Sequence, residues 1–419
     1  MRLPLTILAL SSFALASPVP SDQLIFSSSS PATPFLSSPI NFFASIWSNS
    51  IDVLTPRLVQ TSHETAPYWD LPLLLRWRGI KFADVTDHAE LGVSLLQSSP
   101  STLSNDSSPF PSKLSYHDQV KHVHTNISTA GPRTNIKHLT SFRTRYYKSQ
   151  TGRDSQVWLR DLLQSIVDAH QPSDIADSSR ISVREFTHDW VQSSLIVHIP
   201  ATNRTAASSN GLVIVSSHQD SVNLLLPIFP APGADDDGSG TVTQIESLRA
   251  LMATGWRPEH RDVEWHFYSA EEAGLLGSQA VVSDYVRRGV KVDAMSQFDM
   301  TAFVPTEAKD SPPAMGIVTD FVSPALTTFN KQLLHSYLPE VQPIETKCGY
   351  ACSDHASWTK VGVHSAFTIE NEFAKCNLKR IHTTRDVWDH DEYSFEHIAR
   401  FSKLSSAFVV ELSGWAGSK

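Results

Sequence analysis

Apolar positions along this chain change period several times, and the changes predict helices alternating with strands. Ile136, Leu139, Phe142 and Tyr146 keep helical spacing, as do Leu159, Leu162, Leu163 and Ile166. Two unbroken runs follow, Ser194-Leu-Ile-Val-His and Gly211-Leu-Val-Ile-Val-Ser, whose β-branched residues suit strands buried on both faces. Val242, Ile245, Leu248 and Met252 return to a single helical face. Val263 to Tyr268 reads as another strand, Lys291 to Met300 ends in one, and Phe395, Ile398, Phe401, Leu404 and Phe408 mark a C-terminal helix. The alternation predicts an α/β fold, a mostly parallel mixed sheet covered by helices on both faces. In such folds the chemistry sits beyond the carboxyl ends of the strands.

The pattern is different at the start of the chain. Arg2 precedes an apolar run from Leu3 to Leu15, and Ala14-Leu15-Ala16 has the small-x-small form of a cleavage site. The run is shorter than the roughly 20 residues a spanning helix needs, so residues 1–16 read as a signal peptide rather than a membrane anchor. No later segment is apolar enough to span a membrane. From Ser17 to about Ser112 the sequence is rich in Ser and Pro, with a more ordered island from Trp69 to Asp87. Residues 17–88 are expected to be a propeptide and 89–419 the working domain; the bland alternative for the extension is a flexible linker.

Composition narrows the class. A chain of 419 residues with 41% hydrophobic positions, ten Trp and twenty Phe can bury a sizeable core and is not a disordered one. A formal net charge of −9 without a Lys/Arg-rich run argues against nucleic acid as a partner. Asn105, Asn126 and Asn203 each begin a glycosylation triplet, consistent with secretion into the extracellular space. Cys348 and Cys352 are close enough in sequence to pair, which leaves Cys376 alone.

Candidate chemistry is concentrated where strands should end. Val213-Ile-Val-Ser-Ser runs into His218-Gln-Asp220, and the loop Gly233-Ala-Asp-Asp-Asp-Gly-Ser-Gly240 precedes the helix of Val242. Glu264-Trp-His-Phe-Tyr-Ser-Ala runs into Glu271-Glu272, Ser296-Gln-Phe leads to Asp299, and His382 lies late in the chain. Two imidazoles with three carboxylates form a donor set that zinc favours in hydrolytic sites. They suffice for two ions if one carboxylate bridges them, an arrangement with the metals about 3.5–4 Å apart. Each piece alone has a plainer reading: a strand-end histidine, a solvated acidic loop, or acidic charge at a helix start. Together, every one at a predicted strand end, they point to a site.

With these residues in view, the sequence resembles the co-catalytic dizinc leucine aminopeptidases, and among them the secreted fungal branch. Ala231-Pro-Gly-Ala-Asp-Asp-Asp-Gly-Ser-Gly, Glu271-Glu-Ala-Gly-Leu-Leu-Gly-Ser, Asp299-Met-Thr, Cys348-Gly-Tyr-Ala-Cys-Ser-Asp-His and Ile381-His-Thr-Thr occur in the family's order over roughly residues 115 to 415. The resemblance implies a single zinc-exopeptidase domain that cleaves the N-terminal bond of peptides through a water shared by two zinc ions. It implies that Asp236 bridges the ions, that Glu272 and His382 complete one and His218 and Asp299 the other, and that Glu271 is the general base. Asp220 is expected to orient His218. The resemblance also implies a cis peptide at Asp236–Asp237, a Cys348–Cys352 disulfide holding Tyr350 over the site, and an apolar pocket of Met300, Tyr350, Ile369, Phe373 and Ile381. It implies two Zn2+ per chain, peptide substrates with a free N-terminus and Leu-like first residues, and a monomer.

Other functions on related scaffolds fit less well. A carboxypeptidase would need clustered basic groups for a C-terminal carboxylate, and no convincing Arg set stands near the motifs. The Tyr-containing cysteine loop favours an aminopeptidase over a glutaminyl cyclase. A non-catalytic binding module would usually have lost ligands or the base, and all six groups are present.

Overall fold

The structure is a computed structural model that describes residues 108–171, 176 and 179–416, together with the backbone of three earlier strands. These three, β1 (Asp22–Ser27), β2 (Arg57–Ser62) and β3 (Phe82–Asp84), pair antiparallel in the order β2-β1-β3. The signal-peptide and propeptide readings, apart from these strands, and the acceptor Asn105 lie outside the described residues. Among those residues, no helix is long and apolar enough to cross a membrane.

Eight strands form one mixed sheet: β4 (Ser182–Phe186), β5 (Ser194–Ile199), β6 (Leu212–His218), β7 (Val263–Tyr268), β8 (Val292–Phe298), β9 (Ala314–Val318), β10 (Gln342–Thr346) and β11 (Ser365–Ile369). Their spatial order is β10-β9-β11-β8-β6-β7-β5-β4. The central run β11-β8-β6-β7 is parallel, as is β10 with β9; β5 pairs antiparallel with β7, β4 with β5, and β11 with β9. Around the sheet stand α1 (His117–Asn126), α2 (Ala130–Leu139), α3 (Gln150–His170), α4 (Arg204–Ser209), α5 (Gly238–Ala253), α6 (Leu276–Arg287), α7 (Pro324–Tyr337), α8 (His355–Thr359) and α9 (Phe395–Ser413).

Successive side chains of a strand point to opposite faces, so an unbroken apolar strand feeds two cores at once. Leu195 and Val197, Val213 and Val215, and Trp265 and Phe267 pack into one cluster with Ile245 and Leu248 of α5 and Phe401 and Phe408 of α9. Their neighbours Ile196, Ile214, Tyr268 and Met295 enter the opposite cluster, with Val281 and Tyr285 of α6 and Trp358 of α8. Burying each such aliphatic side chain contributes roughly 1.5–3 kcal/mol, which is why these strands lie at the centre.

One expected helix is shorter than its apolar spacing suggested. α2 ends at Leu139, so Phe142 and Tyr146 fall beyond it. Thr140 Oγ1 donates to the Ile136 carbonyl at 2.8 Å and Ser141 Oγ to that of His138 at 2.6 Å, so hydroxyls take up acceptors of the last turn. Tyr146 instead packs with Tyr147, Val222, Ala270 and Ala273.

Candidate metal centre

Most candidate ligands stand where a parallel strand has just ended, but Asp236 and His382, also expected at strand ends, come from the loops that follow. His218 is the last residue of β6, Asp299 follows β8 directly, and Glu271 and Glu272 lie three and four residues past Tyr268, the end of β7. Asp236 sits between β6 and α5, and His382 comes from the long connection after β11. The topology thus gathers residues scattered over more than 160 positions, 218 to 382, at one edge of the sheet.

Two groups of three converge: His218, Asp236 and Asp299, and Asp236, Glu272 and His382, with the ligand atoms of each group within 4.8 Å of one another. Asp236 belongs to both. Its Oδ1 lies 3.1 Å from His218 Nε2, and its Oδ2 lies 2.9 Å from His382 Nε2. Asp299 Oδ2 is 3.7 Å from His218 Nε2, and Glu272 Oε2 is 3.1 Å from His382 Nε2. Glu271 is outside both groups, its Oε2 4.0 Å from His218 Nε2.

The donor set fits a cation. Burial disfavours charge on His382, but the carboxylates of Glu272 and Asp236 outweigh it and push its pKa up to about 10. His218 behaves alike: burial opposes its protonation, while Asp299, Asp220 and Asp236 hold its pKa well above the usual range. Two imidazoles and three carboxylates that concentrate such demand for positive charge are N and O donors of the kind zinc binds.

Residues 195–409 match the family model described as peptidase family M28. A protein named Leucine aminopeptidase 1 from Coccidioides posadasii (strain RMSCC 757 / Silveira) is 42% identical over 345 residues, covering 81% of this chain and 84% of that one. Its namesake from Penicillium rubens is 40% identical over 381 residues, 86% of this chain and 93% of the other. The chain belongs to peptidase family M28. It is a zinc-dependent aminopeptidase. The same fold recurs in the LapA aminopeptidase of Legionella pneumophila, with a TM-score of 0.72 at 23% identity over 94% of this chain and 99% of that one.

In this M28 chain the second layer of contacts is as ordered as the first. Asp220 accepts from the backbone N–H of Glu271 at 3.1 Å and of Glu272 at 3.2 Å, and its Oδ1 lies 3.4 Å from His218 Nδ1. One carboxylate thus ties the backbone of both glutamates to the neighbourhood of the His218 ring. Three further side chains were not anticipated. Asp237 accepts from the N–H of His218 (3.0 Å), Gly240 (2.9 Å) and Met300 (3.1 Å), joining β6, the start of α5 and the residue after Asp299. A Cβ at Gly240 would overlap the Asp237 carboxylate and the Phe298 carbonyl, so only glycine permits this approach. Asp386 accepts from the N–H of Asp235 (2.9 Å) and Asp236 (3.1 Å), locking the His382 connection to the Asp236 loop. Ser353 Oγ donates to Asp299 Oδ2 at 2.6 Å. Asp237 lies within a quoted motif and Asp386 four residues after His382, but nothing local distinguished a carboxylate that binds amides from one that binds a cation.

Backbone strain is concentrated here too. Ala270 (φ 57°), Leu275 (φ 64°), Met300 (φ 55°) and His382 (φ 59°) are in the left-handed region, at a cost of order 1–3 kcal/mol each. The peptide bond between Asp236 and Asp237 is cis. Met300, Ile369, Tyr350, Phe373 and Ile381 come together in one apolar cluster with Val318, Val322 and Phe367. Cys348 and Cys352 in the same cluster form a disulfide, and Cys376 is free and buried.

Proposed function

We propose that this aminopeptidase is a secreted, monomeric dizinc enzyme that removes single residues, preferring Leu-like ones, from peptides with a free N-terminus. Asp236 carries this reading: one carboxylate with one oxygen toward each imidazole, shared by two groups of donors. His218 and Asp299 would hold one zinc, Glu272 and His382 the other, and Asp236 both. Bound there, zinc supplies Lewis acidity, polarising a carbonyl and lowering the pKa of water toward neutrality.

The protein's own groups do the rest. Glu271 takes the proton from the attacking water and delivers it to the leaving amine. Two features support that role: it is buried beside the donors yet outside both groups, and Asp220 fixes its backbone. The surrounding carboxylates attract a cationic α-amino group. The Met300–Ile381 cluster, starting one residue after Asp299 and ending one before His382, receives the first side chain.

Free amino acid release from a peptide mixture tests this. Leu-like first residues should be favoured over charged ones by about 1–3 kcal/mol per methylene-sized difference, a graded preference. Acetylating the amino terminus should abolish cleavage by removing the cation. Efficient hydrolysis of acetylated peptides would overturn the exopeptidase reading.

Secretion and processing belong to the same proposal. Asn203 is exposed and its Oδ1 caps α4 by accepting from Ala206 N–H at 3.0 Å, whereas Asn126 Nδ2 donates to the His122 carbonyl at 3.0 Å. Asn203 is accordingly the more open glycan acceptor. Removal of residues 17–88 should yield the active form. N-terminal sequencing of secreted protein should find a start near residue 89, and blocking that cleavage should hold activity down; a fully active product beginning at Ser17 would sink the propeptide idea.

A further inference from the structure

The exposed large apolar side chains of the described residues are unevenly placed, with Val191 and Val286 standing apart from the rest. Leu225, Leu226 and Ile228, which are 63%, 38% and 70% exposed, share one loop, and Leu378, 42% exposed, lies on the connection that carries His382. Single exposed apolar residues are ordinary, but three within four positions of one loop are not scattered singly. This loop leaves β6 just after His218 and returns just before Asp236, so it is an excursion between two of the proposed ligands.

Its backbone is anchored throughout. Leu224 N–H donates to the carbonyl of His382 at 3.1 Å, and Phe229 N–H to that of Leu226 at 3.0 Å. Asn223 Oδ1 accepts from Leu225 N–H at 3.0 Å and its Nδ2 donates to the Pro230 carbonyl at 2.8 Å, while Arg143 Nε donates to that of Ile228 at 3.1 Å. Leu224 turns inward against the cluster of Val222, Ala270 and Ala273, beside Glu271 and Glu272. The exposed side chains thus stand on a fixed ledge whose inner end touches a proposed metal ligand.

The ledge and the apolar pocket both adjoin the centre but rest on different strands. The pocket is built on Val318 of β9, Phe367 and Ile369 of β11 and Met300 after β8, whereas Leu224 packs on residues after β7. In the sheet, β8 and β6 with Asp299 and His218 lie between. A peptide whose first side chain fills the pocket sends its remainder away from that pocket. Each extended residue advances about 3.3 Å, so its second and third residues come within reach of a ledge that begins at His382.

The geometry points to a second specificity site: the Leu225–Ile228 ledge receives apolar side chains of the second and third residues of the peptide. This rests on the pocket and centre proposed above. The occupant is the substrate itself, because the ledge is continuous with the catalytic site through the Leu224–His382 hydrogen bond.

The test compares initial kcat/KM for Leu-Leu-Leu and Leu-Gly-Gly in the intact enzyme and in a Leu225→Ser/Ile228→Ser double variant. The ratio of the two values should fall about 10-fold in the double variant, the low end of what an apolar contact gives in a closed pocket. Leu225→Met, which keeps an apolar side chain, should restore most of the ratio when built in place of Leu225→Ser. A loss shared equally by both peptides, as misfolding would produce, leaves the ratio unchanged and overturns the proposal. An unchanged ratio with faster activation of the full-length precursor assigns the ledge to the N-terminal extension and also overturns it. Failure of the underlying exopeptidase reading looks different: the unaltered enzyme would release leucine from neither tripeptide.

Discussion

Asp236→Ala should lose nearly all activity and most of its zinc, and the unaltered protein should be found to carry about two ions per chain. Asp236 is the one residue common to both donor groups, so its removal leaves each with two side chains instead of three. Disturbing an outer-shell partner alone typically costs 10–100-fold in metal affinity or activity, so loss of the shared ligand should exceed about 10²-fold. Elemental analysis gives the zinc content and hydrolysis of an unblocked dipeptide the activity. Circular dichroism should show a retained fold, because both cores of the sheet lie away from this carboxylate. Full activity in Asp236→Ala would end the bridged model.

Glu271→Ala should behave in the opposite manner toward metal. Its rate should fall by about 10²–10⁴-fold, the usual contribution of general acid–base catalysis, with zinc content and fold retained. The loss should appear in kcat more than in KM, since proton transfer is completed only in the transition state. Glu272→Ala, one residue along, should lose zinc instead, because Glu272 Oε2 is 3.1 Å from His382 Nε2. Should the two variants exchange behaviour, the roles of the two glutamates are reversed.

Much of this molecule was legible in its sequence because the relevant signals are local. The stretches Leu195–Val197 of β5 and Leu212–Val215 of β6 are apolar at successive positions, as a strand buried on both faces requires, and Val213 and Ile214 do enter opposite cores; β7 is buried too but carries Glu264 and His266 between its apolar residues. α5 and α9 were legible from their spacing. His218, Glu271, Glu272 and Asp299 stood out because a His or an acid follows an apolar strand pattern where a parallel strand must end, whereas Asp236 and His382 come from the loops between elements.

Spacing failed where a competing local bond intervened. The apolar positions at Phe142 and Tyr146 continued the period of α2, but Thr140 and Ser141 end that helix with their hydroxyls. Sheet order was equally hidden. Nothing local makes β5 run antiparallel to β7 or β11 antiparallel to β9, since those pairings follow from how the two cores pack.

The sequence by itself determined the fold class, the strand-end placement of His218, Asp299 and the Glu271–Glu272 pair, and the zinc-type donor set, because apolar periodicity and residue chemistry are properties of short stretches. Only the tertiary structure decided which oxygen of Asp236 faces which imidazole, and that Asp237 and Asp386 bind backbone amides rather than joining the donor groups. It also decided that the Leu225–Ile228 loop stands beside the centre. Those outcomes depend on residues as far apart as Leu224 and His382 meeting within a hydrogen bond, and a contact across that separation is set by the packing of the whole sheet.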